Sequence, residues 1–229
     1  MKDFAGIEEL GSLESCLSGW FKAKSKEVLA LLEGRRVLDV GCGIGGFTRV
    51  FVENGFEVVG TDTSPKCLSI ARKTDARFFL EDITNLKNLA GSLGYFDTVT
   101  GLDVIEHVED DVKAIKNIRK LLKANGVFVM TVPAFSFLYS KHDAKIGHYR
   151  RYSKSRVKNL LTKNGFKIEK IFYWNFPGIF GWFACKLLNK NPVESSNQTV
   201  DKLYKIWFKI EGRIKPPIGL TIFVKARKI

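Results

Sequence analysis

The segment Val37-Leu38-Asp39-Val40-Gly41-Cys42-Gly43-Ile44-Gly45-Gly46-Phe47-Thr48 places glycines between an apolar run and an amphipathic stretch. Glycines there let the chain turn tightly and let a ligand touch the backbone. A helix that follows such a turn offers free N–H groups and its positive dipole end to a polar or anionic group. Asp62 ends the next apolar run, 21 residues after Gly41. An acid at that strand tip can accept hydrogen bonds from both hydroxyls of a ribose. Together these residues describe a site for a nucleoside-bearing ligand. Two glycine spacings fit: Gly41, Gly43 and Gly46 make the G-x-G-x-x-G of dinucleotide sites, and Gly41, Gly43 and Gly45 make G-x-G-x-G. Spacing does not choose between them, but Asp39 does. A carboxylate beneath the turn suits an ammonium, met directly or through water, and would repel a pyrophosphate.

With its neighbours included, Leu38-Asp39-Val40-Gly41-Cys42-Gly43 resembles the first motif of class I, Rossmann-like methyltransferases that use S-adenosylmethionine. Other segments match in chain order. Glu81-Asp82-Ile83 follows the third apolar run, where the family's acid accepts from the adenine amino group. Leu102-Asp103-Val104-Ile105-Glu106-His107-Val108 resembles the D-V-x-E-H-V segment of ubiquinone-biosynthesis O-methyltransferase-like (methyltransferase type 11) proteins, which passes beside the bound methionine moiety. Trp20-Phe21-Lys22-Ala23-Lys24 resembles that group's W-F-R-A-R, an aromatic cover with a cation. Both arginines are lysines here, and a lysine offers a point charge rather than a bidentate fork to the cofactor carboxylate. The resemblance implies a cofactor site formed by Trp20, Lys24, Asp39, Gly41, Cys42, Gly43, Gly45, Asp62, Thr63, Asp82, Ile83, Leu102, Asp103 and His107. It implies S-adenosyl-L-homocysteine as product and no metal. His107 with Asp103 and Glu106 reads as a hydrogen-bond network at a helix start rather than a ligand set. An NAD-dependent enzyme is the rival here, and it leaves Asp39 and Glu106-His107 without a role.

A second group of reactive side chains follows the fifth apolar run: His142-Asp143, then Gly147-His148-Tyr149-Arg150-Arg151-Tyr152. Ligands of open α/β sheets bind at the carboxyl ends of the strands, which puts this loop over the methyl acceptor. It resembles the P-A-F…L-x-S-x-H-D…H-x-R-R-Y stretch of bacterial and archaeal methyltransferases linked to polysaccharide or lipid pathways. A histidine titrates in the range a general base needs, so His142 and His148 are the candidate catalytic residues, His142 preferred. Asp143 or a tyrosine would orient the base, and Arg150 and Arg151 would hold a phosphate or carboxylate. The competing reading has His148, Arg150 and Tyr152 locking the loop onto the sheet.

Apolar runs alternating with amphipathic stretches predict a doubly wound α/β fold with strands near 37–40, 57–62, 76–80, 96–100, 127–132, 166–174 and 218–226. By resemblance the seventh strand is antiparallel. Val108, Val112, Ile115, Ile118 and Leu122 predict one helical apolar stripe, and Ser153 to Asn164 another helix, capped by Ser153 and closed by Gly165. The chain reads as one domain: a helical cover over 1–34, a cofactor-binding core over 35–174, an apolar and basic insertion over 175–215, and a last strand over 216–229. In the insertion, Lys202, Lys205, Lys209 and Arg213 share a helix with Leu203, Tyr204, Ile206, Trp207, Phe208 and Ile210. That pattern suits a lid at a lipid–water interface, with core packing or a dimer contact as the plain alternatives.

The net charge of +13 is lopsided: residues 1–140 hold 17 basic and 19 acidic side chains, and 141–229 hold 20 and 5. The second part therefore faces something anionic, or is simply a solvated basic surface. An anionic membrane fits better than nucleic acid, because no N-P-P-Y-type base-flipping motif and no RNA-binding module is present. Cys16, Cys42, Cys67 and Cys185 form no C-x-x-C pair, and no signal segment or spanning stretch is visible, so the expectation is a cytoplasmic enzyme, peripheral at the membrane at most. The acceptor expected is a small molecule, lipid or glycan precursor, methylated on oxygen. The alternatives are an RNA methyltransferase and a non-catalytic cofactor-binding protein.

Overall fold

The computed structural model describes residues 19–188 and 207–229. Seven strands form one sheet: β1 (Arg36–Val40), β2 (Glu57–Asp62), β3 (Arg77–Leu80), β4 (Phe96–Leu102), β5 (Leu122–Pro133), β6 (Phe166–Trp174) and β7 (Thr221–Lys228). Their spatial order is β3-β2-β1-β4-β5-β7-β6. The first five run parallel, and β7 lies antiparallel between β5 and β6. All seven residues of the central strand β4 are buried. A sheet covered on both faces demands that pattern, because neither side of the strand meets water.

Around the sheet lie α1 (Gly19–Leu29), α2 (Gly46–Glu53), α3 (Pro65–Ala71), α4 (Asp111–Leu121), α5 (Lys141–Lys145), α6 (Lys154–Lys163) and α7 (Phe176–Leu188). Ser153 caps α6 by accepting from the Arg156 amide. Asp110 caps α4 by accepting from the Lys113 amide, and that start sets the helix phase. Ala114, Ile115, Ile118 and Leu121 then face the core, while Val112 is turned outward at 39% exposure and Leu122 already belongs to β5. The expected stripe is corrected at both residues and at Val108, which ends the turn before the helix. The seventh strand also begins later than expected. Gly219 passes so close to Trp174 that a Cβ would lie 2.4 Å from its carbonyl oxygen, and Ile218 stays exposed outside the ladder.

The chain runs outward from β1 to β2 and β3, then returns to β4 on the other side. The crevice between the carboxyl ends of β1 and β4 is therefore the topological switch point, where such sheets bind ligands. Loop 41–45 leaves β1 on one side of it, and residues 103–107 leave β4 on the other. Among the described residues no helix is long and apolar enough to cross a membrane. Within the insertion, α7 and a helical segment at 207–211 are described. Lys202, Leu203, Tyr204, Lys205 and Ile206 lie outside the described residues, as does Cys16.

Candidate active site

Gly41, Gly43 and Gly45 all have positive φ, at 63°, 55° and 82°. At Gly41 the tightness is also steric: a Cβ would stand 2.5 Å from a methyl of Val104, so the two switch-point loops touch there. Asp62 locks the turn. Its Oδ2 accepts from the Gly43 amide at 2.9 Å and its Oδ1 from the Ser64 amide at 2.8 Å. Each oxygen keeps one lone pair for a further donor. Cys42 is half-buried, and Thr63 at the strand tip is exposed.

Asp39 lies buried beneath this turn. Thr48 of α2 donates to its Oδ2 at 2.7 Å and Thr100 of β4 to its Oδ1 at 2.8 Å. Burial pushes its carboxyl up to about 6, against the pull of the two hydroxyls. A positive charge arriving above the turn would stabilise the ionised form. Neither threonine was foreseen as a site residue. Thr48 sits at the end of the glycine motif, but nothing local ties Thr100 to Asp39. Their contact comes from the β1–β4 register, which pairs the two residues directly.

Across the crevice, Asp103 has a left-handed backbone, φ 56°, and Thr131 donates to its Oδ1 at 3.0 Å. Its partner is Lys24, whose fully buried ammonium forms an ion pair with Oδ2. Burial alone would raise the Asp103 carboxyl, and Lys24 and Thr131 outweigh it, holding it below its ordinary value. Lys24 lies 5.0 Å from the Trp20 ring and 5.8 Å from that of Phe47, so α1 roofs the crevice. The expected cation and aromatic cover are thus together, with the cation already paired to the acid at the end of β4. Leu102 and Ile83 are buried, and Asp82 is exposed and turns back to accept from the amide and hydroxyl of Thr84.

The loop after β5 is organised by Asp143. Fully buried, it accepts from the Ser140 amide at 2.8 Å, from Arg151 Nε at 2.9 Å, and bonds His148 Nδ1 at 2.8 Å. Burial raises its carboxyl, and His148 and Arg151 more than reverse this, keeping it low and ionised. His148 Nε2 lies 3.9 Å from a carboxylate oxygen of Glu106. Glu106 is fully buried with no hydrogen-bond partner on either oxygen, and burial, then Asp103, raise it well above its usual range. His107 stacks edge-on against His148 at 4.5 Å and is lowered to about 4, chiefly by burial. Glu106, His107 and His148 bring one donor atom each within 4.8 Å of one another, a spacing that a divalent cation would fit, although none was expected from the sequence.

Three expectations for this loop change. Arg150 is tied to Asp111 and to the Glu109 carbonyl, and Arg151 is buried on Asp143, so neither is open to hold an acceptor anion. Tyr152 also bonds Asp111, so Arg150 and Tyr152 make the contacts that the locking reading expects, while His148, its third residue, bonds Asp143. His142 packs edge-on against Trp182 at 5.4 Å with its Nδ1 buried and unbonded. The aspartate-oriented histidine is His148, not the preferred His142. Asp143 was foreseen only as an orienter, and Glu106 only as part of a network at a helix start.

The geometry is matched by comparison with known proteins. A family model described as a methyltransferase domain covers residues 18–171. The chain belongs to the methyltransferase-domain family. Among curated relatives, a ubiquinone biosynthesis O-methyltransferase of Paracidovorax citrulli is 34% identical over 136 residues, 57% of this chain and 54% of that protein. One of Alkalilimnicola ehrlichii is 38% identical over 105 residues, 44% of this chain and 42% of that protein. The chain thus matches about half the length of these relatives. The fold is similar to that of an S-adenosylmethionine-dependent methyltransferase from Archaeoglobus fulgidus, with TM-score 0.66, 21% identity and 97% coverage of both chains.

The residues of the crevice fit S-adenosylmethionine, the donor that the sequence resemblance implies. A Cβ at Gly41 would clash with Val104 and one at Gly45 would crowd Ala71, Asp62 has spare acceptor capacity, and Asp39 and Asp103 supply two carboxylates with Lys24 beside Asp103.

Proposed function

We propose that this chain is an S-adenosylmethionine-dependent methyltransferase that acts on a hydroxyl of a small-molecule, lipid-type or glycan-precursor acceptor, with His148 as the general base. The observation that carries the reading is the Asp143–His148 bond at 2.8 Å at the acceptor end of the crevice. S-adenosylmethionine, when bound, supplies an electrophilic methyl on sulfonium. Asp62 would hold the ribose, Asp82 and Ile83 the adenine end, and Asp39, Lys24, Leu102, Asp103 and His107 the methionine end. Most of the rate enhancement then comes from aligning the acceptor oxygen behind the methyl group.

His148 adds the proton transfer. In the tautomer that donates Nδ1–H to the Asp143 carboxylate, Nε2 would carry the free lone pair. That nitrogen would take the hydroxyl proton while the acceptor oxygen gains the methyl group that sulfur gives up, leaving S-adenosylhomocysteine, and Asp143 would stabilise the resulting imidazolium. Arg151 and Ser140 hold Asp143 in place for this role.

Two further features support an uncharged, apolar acceptor. Arg150 and Arg151 are occupied by internal pairs. Phe135 is stacked on Tyr173 at 5.3 Å and lies against Phe137, and Trp182 closes over the loop by donating to the Leu138 carbonyl at 3.1 Å. The curated relatives are named ubiquinone biosynthesis O-methyltransferases, which accords with an oxygen acceptor. An apolar acceptor brings the enzyme to an anionic membrane as a peripheral protein.

The test is transfer of labelled methyl from S-adenosylmethionine into fractionated extract of the source cell. Label entering the organic-soluble fraction, and lost with His148→Ala, is expected. Label confined to RNA would replace this reading with a nucleic-acid methyltransferase, and binding without any transfer would leave a non-catalytic binder.

A further inference from the structure

The insertion after β6 has two differently built sides. Inward, Trp182 of α7 donates to the Leu138 carbonyl and carries the Arg151 guanidinium 4.2 Å over its ring, so α7 walls the acceptor end of the crevice. Outward, Phe180 and Phe183, one turn apart on the same helix, are 63% and 50% exposed. The segment at 207–214 packs on α7 through Trp207 and Phe176, whose rings are 5.5 Å apart. It projects Ile214, 71% exposed, and Ile210 one turn before it. Lys209 and Arg213 form the adjacent row of that segment, both exposed and without an ion-pair partner among the described residues.

We propose that this outer side of the insertion, carried by Phe180, Phe183, Ile210 and Ile214 with Lys209 and Arg213 beside them, docks the enzyme on an anionic bilayer surface. The assignment names the partner of the acceptor site and rests on the lipid-type acceptor for its purpose, though binding to vesicles needs no acceptor. Two features favour a bilayer over a protein partner. The exposed apolar side chains sit on two neighbouring helical segments beside a row of cations, the combination that suits the boundary of headgroups and acyl chains, whereas the core of a protein interface is depleted of charge. The cations beside them lack ion-pair partners among the described residues, and an anionic leaflet attracts such charges where a neutral one does not. The excess of 20 basic over 5 acidic residues in 141–229 has the same sign. Docked this way, α7 would stand between the bilayer and His148, and a lipid-borne hydroxyl would enter along its inward face.

The experiment is flotation of the full chain with vesicles of phosphatidylcholine alone and of phosphatidylcholine with phosphatidylglycerol at about 7:3. Calorimetric binding of S-adenosylhomocysteine serves as the control for a folded protein. The wild type is expected to float with the anionic vesicles and not the neutral ones, and less as salt rises. Lys209→Glu/Arg213→Glu should weaken partition by well over tenfold, since each cation near such a surface contributes roughly fivefold. Phe180→Ser/Phe183→Ser should abolish flotation, with S-adenosylhomocysteine binding unchanged in both variants. The proposal is overturned by failure of the wild type to float, by equal binding to neutral vesicles, or by flotation that survives both variants. It is also overturned if the same substitutions dissolve a dimer seen by sedimentation while the wild type ignores vesicles, which assigns the face to a second copy. Loss of methyl transfer to lipid with flotation intact would instead strike the acceptor reading alone.

Discussion

Replacing Asp39 with asparagine should make the fold relatively more stable as pH rises while weakening the donor site. In the folded chain the Asp39 carboxyl is pushed up to about 6 from an ordinary 3.8, chiefly by burial. Between those values the folded state holds a proton that the unfolded state has released. Stability contributed by this group is therefore full below about pH 4 and is lost as pH rises through about 6. A shift of about two units corresponds to about 3 kcal/mol, an order-of-magnitude figure for the cost at neutral pH of keeping a charge under the glycine turn. The neutral amide of the Asp39→Asn variant carries no such cost, though one of the two threonine hydroxyls must change its partner, a loss of about 1 kcal/mol. Denaturant titrations of wild type and Asp39→Asn from pH 4 to pH 8 isolate this group, because other titrations cancel in the difference. The variant should gain about 2–3 kcal/mol on the wild type across that range. Its affinity for S-adenosylmethionine at pH 7.5 should fall at least about tenfold, since the ionised carboxylate is what a positive charge above the turn would meet. A stability difference independent of pH would refute the reasoning, as would unchanged donor affinity.

Other outcomes follow from the same geometry. Gly41→Ala forces a side chain into φ 63° and sets its Cβ 2.5 Å from Val104, so donor binding should be lost by calorimetry. Gly55→Ala, with φ 84° but nothing within 4 Å, should cost only about 1 kcal/mol of strain in a melt and leave binding intact. Asp62→Ala removes the acceptor for the Gly43 and Ser64 amides and should weaken donor binding about a hundredfold, since charge-assisted bonds of this kind contribute about 1.5–3 kcal/mol each. Once an acceptor is in hand, His148→Ala should lower kcat by about 10²–10⁴ with little change in KM, the range expected for loss of a general base. His142→Ala should cost less than about tenfold, and the reverse order would return the base to His142.

What the sequence disclosed depended on how local the cause was. The first four parallel strands and the 127–132 part of β5 were readable because each is an apolar run with turn-forming or polar residues at its ends, whereas the start of β5 at Leu122 lies across Asn125-Gly126, which read as a break. The α6 boundaries were readable because Ser153 caps the helix at one end and Gly165 follows it at the other. The donor side was legible for a similar reason: Gly41, Gly43 and Gly45 turn the chain within the motif itself, and Asp62 closes on Gly43 across one strand spacing. Features set by pairing between distant segments stayed hidden. Thr100 reaches Asp39 only through the β1–β4 register, and Lys24 meets Asp103 across 79 residues of chain. Val112 was misplaced because a residue spacing of three or four does not say where Asp110 starts the helix. At the acceptor side, His142 and His148 look equivalent along the chain. They separate only when the capping box at Ser140–Asp143 turns the aspartate toward His148, leaving His142 against Trp182. Arg150 and Arg151 looked like anion holders for the same reason, since Asp111 and Asp143 could not be seen beside them.

The central claim is that the crevice between β1 and β4 binds an amino-acid-bearing nucleoside, and isothermal calorimetry on the purified chain tests it most directly. The account predicts that S-adenosylmethionine binds at one site per chain and that NAD gives no heat above dilution. Heat from NAD with none from S-adenosylmethionine would contradict it.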